Sequence, residues 1–249
     1  MRKSERRGFD DPKMAVQADG STPRKPIDYD RARRHLMRRD SRLAPVIRQV
    51  GPCKLAEIPE TPPFMALAEA IASQQLSVKA ADTIFARFCD LFPPDRLPDP
   101  VRLLALDPEA VRRAGFSRPK VIFLRDLAAQ VLEDRLPLHR LHEEDDQTVV
   151  QQLVAVKGIG VWTAEIFLMF RLKRPDVFPA DDLGLVKAAQ RVYGLRNRPD
   201  RDRLLKMAEA WRPYRSVAAW YLWRSLSIDI ATPTRPKARN RLTWNRSVS

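Results

Sequence analysis

Residues Leu153 to Lys187, LVAVKGIGVWTAEIFLMFRLKRPDVFPADDLGLVK, hold two features that the rest of the chain surrounds. The first is the Gly158-Ile159-Gly160 turn between two apolar helical segments. Two glycines let the backbone turn tightly and come close to a ligand. The free N–H groups opening the second segment can take a phosphate oxygen, while Ile159 anchors the turn in the core. The same shape also serves plain helix packing with a glycine C-cap. The second feature is Asp181-Asp182, set after Pro179 and just before a helix from Leu183. One aspartate can cap that helix. A cap does not readily explain two. A carboxylate left free beside a phosphate-binding turn can stabilise cationic character in a sugar, or activate water against it.

Outward from this stretch the pattern stays helical. Leu36, Leu43, Val46 and Ile47 can share one face after Asp28, with Arg on the other, and Asp40 is a second cap. Phe64 to Phe92 carries apolar residues at spacings of three and four, interrupted by Ser73-Gln74-Gln75, with Ser77 placed to cap the second half. Asp99 to Ala105 and Asp107 to Ala114 are short helices opened by Asp and Pro. Further helices start after Ser117, the acidic run at 141–146, Asp182, Arg201 and Tyr214. No stretch alternates with period two for long, and no Asn-Gly hairpin occurs. The fold class is therefore all-α, with about ten helices.

Composition limits the function classes. The 249 residues are 44% hydrophobic, enough for a sizeable core. No apolar run approaches the roughly 20 residues of a membrane helix, and the N-terminus lacks a secretory h-region, so an intracellular protein is expected. Two cysteines, Cys53 and Cys89, exclude a four-cysteine cluster and favour ordinary buried thiols. Net charge is +14, and the excess sits in the flanks: 14 Lys/Arg against 7 Asp/Glu over residues 1–48, and 5 against none over 232–249. Such flanks favour a polyanion and make its binding salt-dependent. Residues 1–27 and 232–249 read as disordered basic tails around a helical domain at 28–231.

Five motifs in order carry a resemblance: Ile71-Ala72-Ser73-Gln74-Gln75-Leu76-Ser77, Ala114-Gly115-Phe116-Ser117 with Lys120, GIGVWTAE from Gly158, PADDLGL from Pro179, and WRPYRSVAAWYLWR from Trp211. Together they resemble the helix–hairpin–helix DNA glycosylase superfamily, and within it the DNA-3-methyladenine glycosylase II group. The resemblance implies a bilobed all-α fold with its active site in the interlobe cleft. It matches Asp182 to the catalytic aspartate and leaves Asp181 as a cap or supporting group. Trp162 stands where members that also cleave the backbone carry a Schiff-base Lys. A monofunctional enzyme is expected, hydrolysing the base–sugar bond of alkylated purines such as 3-methyladenine and 7-methylguanine after base flipping. Trp162 and Trp223 match base-pocket positions, where a cationic base gains about 0.5–2 kcal/mol on indole. Gly158, Ile159, Gly160 and Thr163 match the DNA-backbone anchor. Gln74, Gln75, Leu76 and Ser77 match the loop against the gap left by the flipped nucleotide, with Gln75 as wedge. Trp211, Trp220, Tyr214 and Tyr221 read as core or rim.

The resemblance implies no organic cofactor and no side-chain metal site; a monovalent cation on hairpin backbone carbonyls would fit it. The expected partner is double-stranded DNA carrying alkylated bases, met by a monomer away from membranes. The place would be the cytoplasm and nucleoid of a bacterium or the nucleus of a eukaryote. Longer members of the group carry an N-terminal β-containing domain, for which the segment before Asp28 is too short and too polar. Two alternatives stay open from the residues: a same-fold glycosylase for uracil, hypoxanthine or ethenoadenine, and a non-catalytic helix–hairpin–helix DNA-binding protein.

Overall fold

The computed structural model describes residues 26–229, and their regular structure is entirely helical. The expected tails lie almost wholly outside the described residues. The α-helices are α1 (Tyr29–Arg39), α2 (Leu43–Val50), α3 (Pro63–Ser73), α4 (Val78–Cys89), α5 (Pro100–Ala105) and α6 (Pro108–Arg113). They continue as α7 (Arg118–Leu132), α8 (Asp146–Val154), α9 (Val161–Phe170), α10 (Leu183–Tyr193), α11 (Arg201–Ala208) and α12 (Arg215–Ser225). That is twelve among the described residues rather than about ten, plus 3-10 turns at Leu55–Glu57 and Glu209–Trp211.

Short side chains start most of these helices. Asp28, Ser77, Asp99, Asp107, Asp145, Asp182 and Asp200 each accept a first-turn backbone N–H. Each satisfies a donor that has no carbonyl four residues earlier. Asp40 acts the same way, its Oδ1 accepting from Arg42 and Leu43 N–H at 2.9 Å each. Its other oxygen accepts from Trp211 Nε1 at 2.7 Å and from the Tyr193 hydroxyl. One carboxylate thus ties α1, α2, α10 and the turn before α12. Ser117 precedes α7 without a side-chain cap.

The helices fall into two groups. In one, α7 packs against α3, α5 and α6, and α3 against α4. In the other, α12 packs against α1, α2 and α10. The pair α8–α9 forms the hairpin between them, and α9 also meets α3. Burial follows the sequence pattern: Leu36, Leu43, Val46 and Ile47 are all core, as are Trp211 and Tyr221. Trp220 and Tyr214 are half-buried at its edge. Cys53 and Cys89 are buried free thiols. No helix among the described residues is long and apolar enough to cross a membrane.

Candidate active site

Asp182 is the N-cap of α10, and its side chain is also the meeting point of two indoles. Oδ1 accepts from Leu185 N–H at 2.8 Å and from Trp223 Nε1 at 2.8 Å. Oδ2 accepts from Trp162 Nε1 at 2.9 Å. An ionised carboxylate offers about four acceptor positions, so these bonds leave one, on Oδ2. The short Gly184 side of α10 permits this approach. A Cβ there would lie 2.8 Å from Asp182 Oδ1 and 3.1 Å from the Trp223 ring.

The structure narrows the expectation that Asp181 is a cap or a supporting group. The cap is Asp182 itself, and Asp181 turns outward to pair with Arg201, Nε to Oδ2 at 3.3 Å. Both groups are more than half exposed, so this pair contributes little. The acid before α10 therefore combines capping with presentation to the cleft, because an N-cap carboxylate needs only one oxygen for its backbone N–H.

The loop carrying Asp182 is held from α12. Asp176 accepts from Arg215 Nε at 2.9 Å and Nη2 at 3.1 Å, and from Arg212 Nη1 at 2.8 Å. Ser216 Oγ accepts from Val177 N–H at 2.9 Å and donates to Val177 O at 3.1 Å. Val177 through Ala180 are buried by this clamp. The two arginines and the serine of WRPYRS thus place the aspartate loop, while Trp223, two turns on, reaches its carboxylate.

The hairpin turn is shaped by α7. Gly158 has φ +81°, and a Cβ on it would sit 2.2 Å from Phe123 Cδ2. Asp126 Oδ2 accepts from Lys157 N–H at 2.9 Å and from Gln130 Nε2 at 2.9 Å. Gln130 Nε2 also donates to Ala155 O at 3.1 Å. Ile159 is buried, as the anchor reading requires. Gly160 is extended, has nothing within 4 Å of where a Cβ would be, and starts α9 with no side-chain cap. The first-turn amides of α9 are therefore left for an outside acceptor.

Thr163 is only 6% exposed and lines the cavity between α3, α4 and α9. It shares the buried face of α9 with Ala164 and Phe167, one residue and about one turn away.

The loop between α3 and α4 sits against this hairpin. Lys120 Nζ, from α7, donates to Ala72 O at 2.8 Å and Gln74 O at 2.7 Å. Gln74 Nε2 in turn donates to Gly158 O at 2.7 Å. Gln74 is thus engaged in a bridge between loop and hairpin. Gln75 takes φ +58° and is exposed, and Leu76 is 40% exposed beside it. Ser77 caps α4, accepting from Ala80 N–H at 3.4 Å. Lys120, Phe123, Asp126 and Gln130 share one face of α7 and organise both segments. The motifs single out only Lys120 of these; three- and four-residue spacing is the signal that could have found the others.

Trp162 is 44% exposed, which rules out a core role. It lines a cavity of about 360 Å³ between α3, α4 and α9, together with Ala70, Phe85 and Phe170. Phe170 also stacks on Trp223, centroids 5.9 Å apart and planes at 28°. Phe85 and Phe170 carry no site signal in the sequence, since their spacing is that of any core helix. Among the described residues no group of three or more His, Cys, Asp or Glu could hold a metal ion.

Glu165, one turn after Trp162, is half-buried near Asp181. Burial first, and then the Asp181 carboxylate, push its pKa from the ordinary 4.5 to about 7, against the pull of Arg201 and Arg215. A raised acid pKa means the fold favours the protonated form. Its contribution to stability is full below pH 4.5 and is lost as pH rises through about 7. Glu165→Gln is expected to gain stability relative to wild type as pH is raised across that window. Thermal unfolding of both proteins at a series of pH values checks it; parallel curves would show no such linkage.

Comparison with known proteins agrees with this geometry. Residues 68–213 match the model of the HhH-GPD superfamily base excision DNA repair proteins. An alkylbase DNA glycosidase-like protein of Schizosaccharomyces pombe is 33% identical over 202 residues, covering 80% of this chain and 95% of that protein. DNA-3-methyladenine glycosylase 1 of the same organism is 37% identical over 177 residues, covering 70% and 78%. Among solved structures, the S. pombe 3-methyladenine DNA glycosylase in complex with abasic DNA superposes with TM-score 0.71 at 32% identity, over 80% of this chain and 97% of that one. A Bacillus halodurans DNA-3-methyladenine glycosidase gives TM-score 0.70 at 36% identity, over 81% and 91%.

Proposed function

This chain belongs to the HhH-GPD superfamily of base excision DNA repair proteins, and on that premise we propose that it is a monofunctional DNA glycosylase that excises alkylated purines. The observation that carries the reading is the Asp182 carboxylate, held by two indole N–H groups and one backbone N–H beside an aromatic cavity. A relative of 37% identity is named a DNA-3-methyladenine glycosylase, and a solved neighbour is bound to abasic DNA.

In this reading the α9 amides grip a DNA phosphate, and Gln75 with Leu76 fills the space left by the flipped nucleotide. Extrusion costs a few kcal/mol, which the inserted side chains partly offset. The base enters the cavity against Trp162. The bond from C1′ to the base nitrogen breaks with its electron pair going to the base. An N-alkylated purine is cationic in DNA and so leaves neutral, with little need of a proton donor. The sugar gains oxocarbenium character beside Asp182, whose negative charge stabilises it. Water adds to C1′ and its proton passes to Asp182 or solvent. The products are an abasic site and a free base. With Trp162 in place of an amine, no Schiff base forms and the backbone stays intact.

A monovalent cation is part of the same proposal in one limited way. The hairpin donor set is backbone carbonyl, which suits a singly charged ion held without carboxylates. Gly158 O accepts from Gln74 Nε2 and keeps one lone pair for such an ion. The partner is alkylated duplex DNA, bound by a monomer in the compartment that holds the chromosome.

The test is release of base. Incubation with methylated duplex DNA is expected to free 3-methyladenine or 7-methylguanine and leave alkali-labile sites without strand cleavage. Affinity is expected to fall steeply with salt, because phosphate contacts release counterions. Absence of released base from a panel of lesions would refute the enzyme, and a flat salt response would refute the phosphate grip.

A further inference from the structure

The turn between α3 and α4 is closed by Leu76 N–H, which donates to Ser73 O at 3.2 Å. Its first central residue, Gln74, has φ −52° and ψ 129°, and its second, Gln75, has φ +58°. These are the angles of a type II turn, whose second central position favours glycine or asparagine. A glutamine held there is strained. A type I turn spans the same four residues with both central residues at negative φ. The two forms differ in which way the central peptide faces, and that peptide carries Gln74 O.

Lys120 holds that peptide from α7. Its Nζ donates to Gln74 O at 2.7 Å and to Ala72 O at 2.8 Å. Both bonds are charge-assisted, and the residue is half-buried. Ala72 O lies in the last turn of α3, where carbonyls lack a partner inside the helix. Among the described residues, α3 is also the one α-helix whose C-cap N–H does not return to a helix carbonyl. One ammonium from another helix thus closes the end of α3 and sets the direction of the turn after it. Gln74 Nε2, donating to Gly158 O at 2.7 Å, fastens the same turn to the hairpin. Gln75 and Leu76 are left exposed.

We infer that Lys120 is the positioning residue of the insertion turn: by fixing the peptide between Gln74 and Gln75, it keeps Gln75 in the left-handed conformation from which it fills the space left by a flipped nucleotide. The inference rests on the glycosylase reading and adds to it what holds the inserted side chain in place. Lys120 touches no reacting atom. Without its ammonium the peptide turns over and Gln75 relaxes to negative φ. The insertion-competent form is then only part of the population, and apparent affinity for a gapped duplex falls by that fraction.

Lys120→Met tests this, since it keeps an unbranched side chain and removes the ammonium. Two affinities are read on each protein: for a duplex with a tetrahydrofuran abasic site, which offers a gap to fill, and for the same duplex undamaged, which offers none. Wild type is expected to prefer the abasic duplex. In Lys120→Met the ratio of the two affinities is expected to fall about tenfold, the factor for a left-handed residue left without support. Gln75→Asn supplies a readout that a purely structural role would not move, because asparagine tolerates the left-handed region. In the Gln75→Asn background, Lys120→Met is expected to change the ratio by about threefold or less. An unchanged ratio in Lys120→Met alone overturns the inference, whether the two affinities hold or fall together. So does a Lys120→Met effect of the same size in both backgrounds, which would mark a structural role. If wild type itself shows no preference for the abasic duplex and releases no alkylated base, the failure lies with the glycosylase reading.

Discussion

Asp182→Asn is expected to lower single-turnover base release by about 10²–10³-fold, the range found when one preorganised electrostatic group is removed from a charge-developing site. Binding to abasic duplex should persist. The substitution isolates charge from structure because asparagine caps a helix about as well as aspartate. Its carbonyl oxygen can keep the bonds from Leu185 N–H and Trp223 Nε1, both at 2.8 Å. The amide then replaces Oδ2 and meets the Trp162 N–H, donor against donor, where the present bond is 2.9 Å. Trp162 is partly exposed and can turn to water, so the stability cost is at the low end of about 1–3 kcal/mol. Rapid-quench release with a thermal melt on the same preparation decides the matter. A variant as active as wild type would remove Asp182 from the chemistry.

Gly158→Ala is expected to be the most damaging single change in the DNA-facing hairpin. Two costs add. The residue sits at φ +81°, which costs an L side chain about 1–2 kcal/mol. Its Cβ would also stand 2.2 Å from Phe123 Cδ2, and a ring held between helices does not yield freely. Overpacking of this kind costs about 1–3 kcal/mol more. A chain of this size should then melt roughly 5–15 °C lower. Duplex affinity should fall as well, because the α9 amides and the Gln74 bridge both hang on this turn. Gly160→Ala provides the contrast. That residue is extended with open space around its Cβ position. It should melt like wild type and lose affinity for DNA alone, through crowding of the phosphate. Equal melting of Gly158→Ala and wild type would contradict the packing seen against Phe123.

Much of the fold is legible in the chain itself. Asp28, Asp40, Ser77, Asp99 and Asp107 announce helix starts, and each accepts the expected backbone N–H. The core face of α1 and α2 comes from spacing. The resemblance gives Trp162 and Trp223 as base-pocket positions; in the structure both indoles donate to the Asp182 carboxylate, and Trp162 also lines the cavity. Other parts are not legible. Which of two adjacent aspartates caps α10 depends on where the loop from Asp176 enters, and that is set by Arg212, Arg215 and Ser216 more than 30 residues on. The burial of Thr163 is not legible either, because the rotation of α9 is fixed by what its other faces bury.

The sequence by itself determined the all-α class, most helix starts, the glycine turn and the aspartate pair that precedes α10. These depend on periodicity and on contacts within a turn or two, which are written in neighbouring residues. Only the tertiary structure decided that Gln74 bridges to the hairpin and that Lys120 clamps the loop before α4. It likewise decided that one carboxylate gathers N–H donors from α9, α10 and α12, and that Phe85 and Phe170 share a cavity with Trp162. Such juxtapositions join segments tens of residues apart, and what brings them together is the packing of whole helices around α7 and α12.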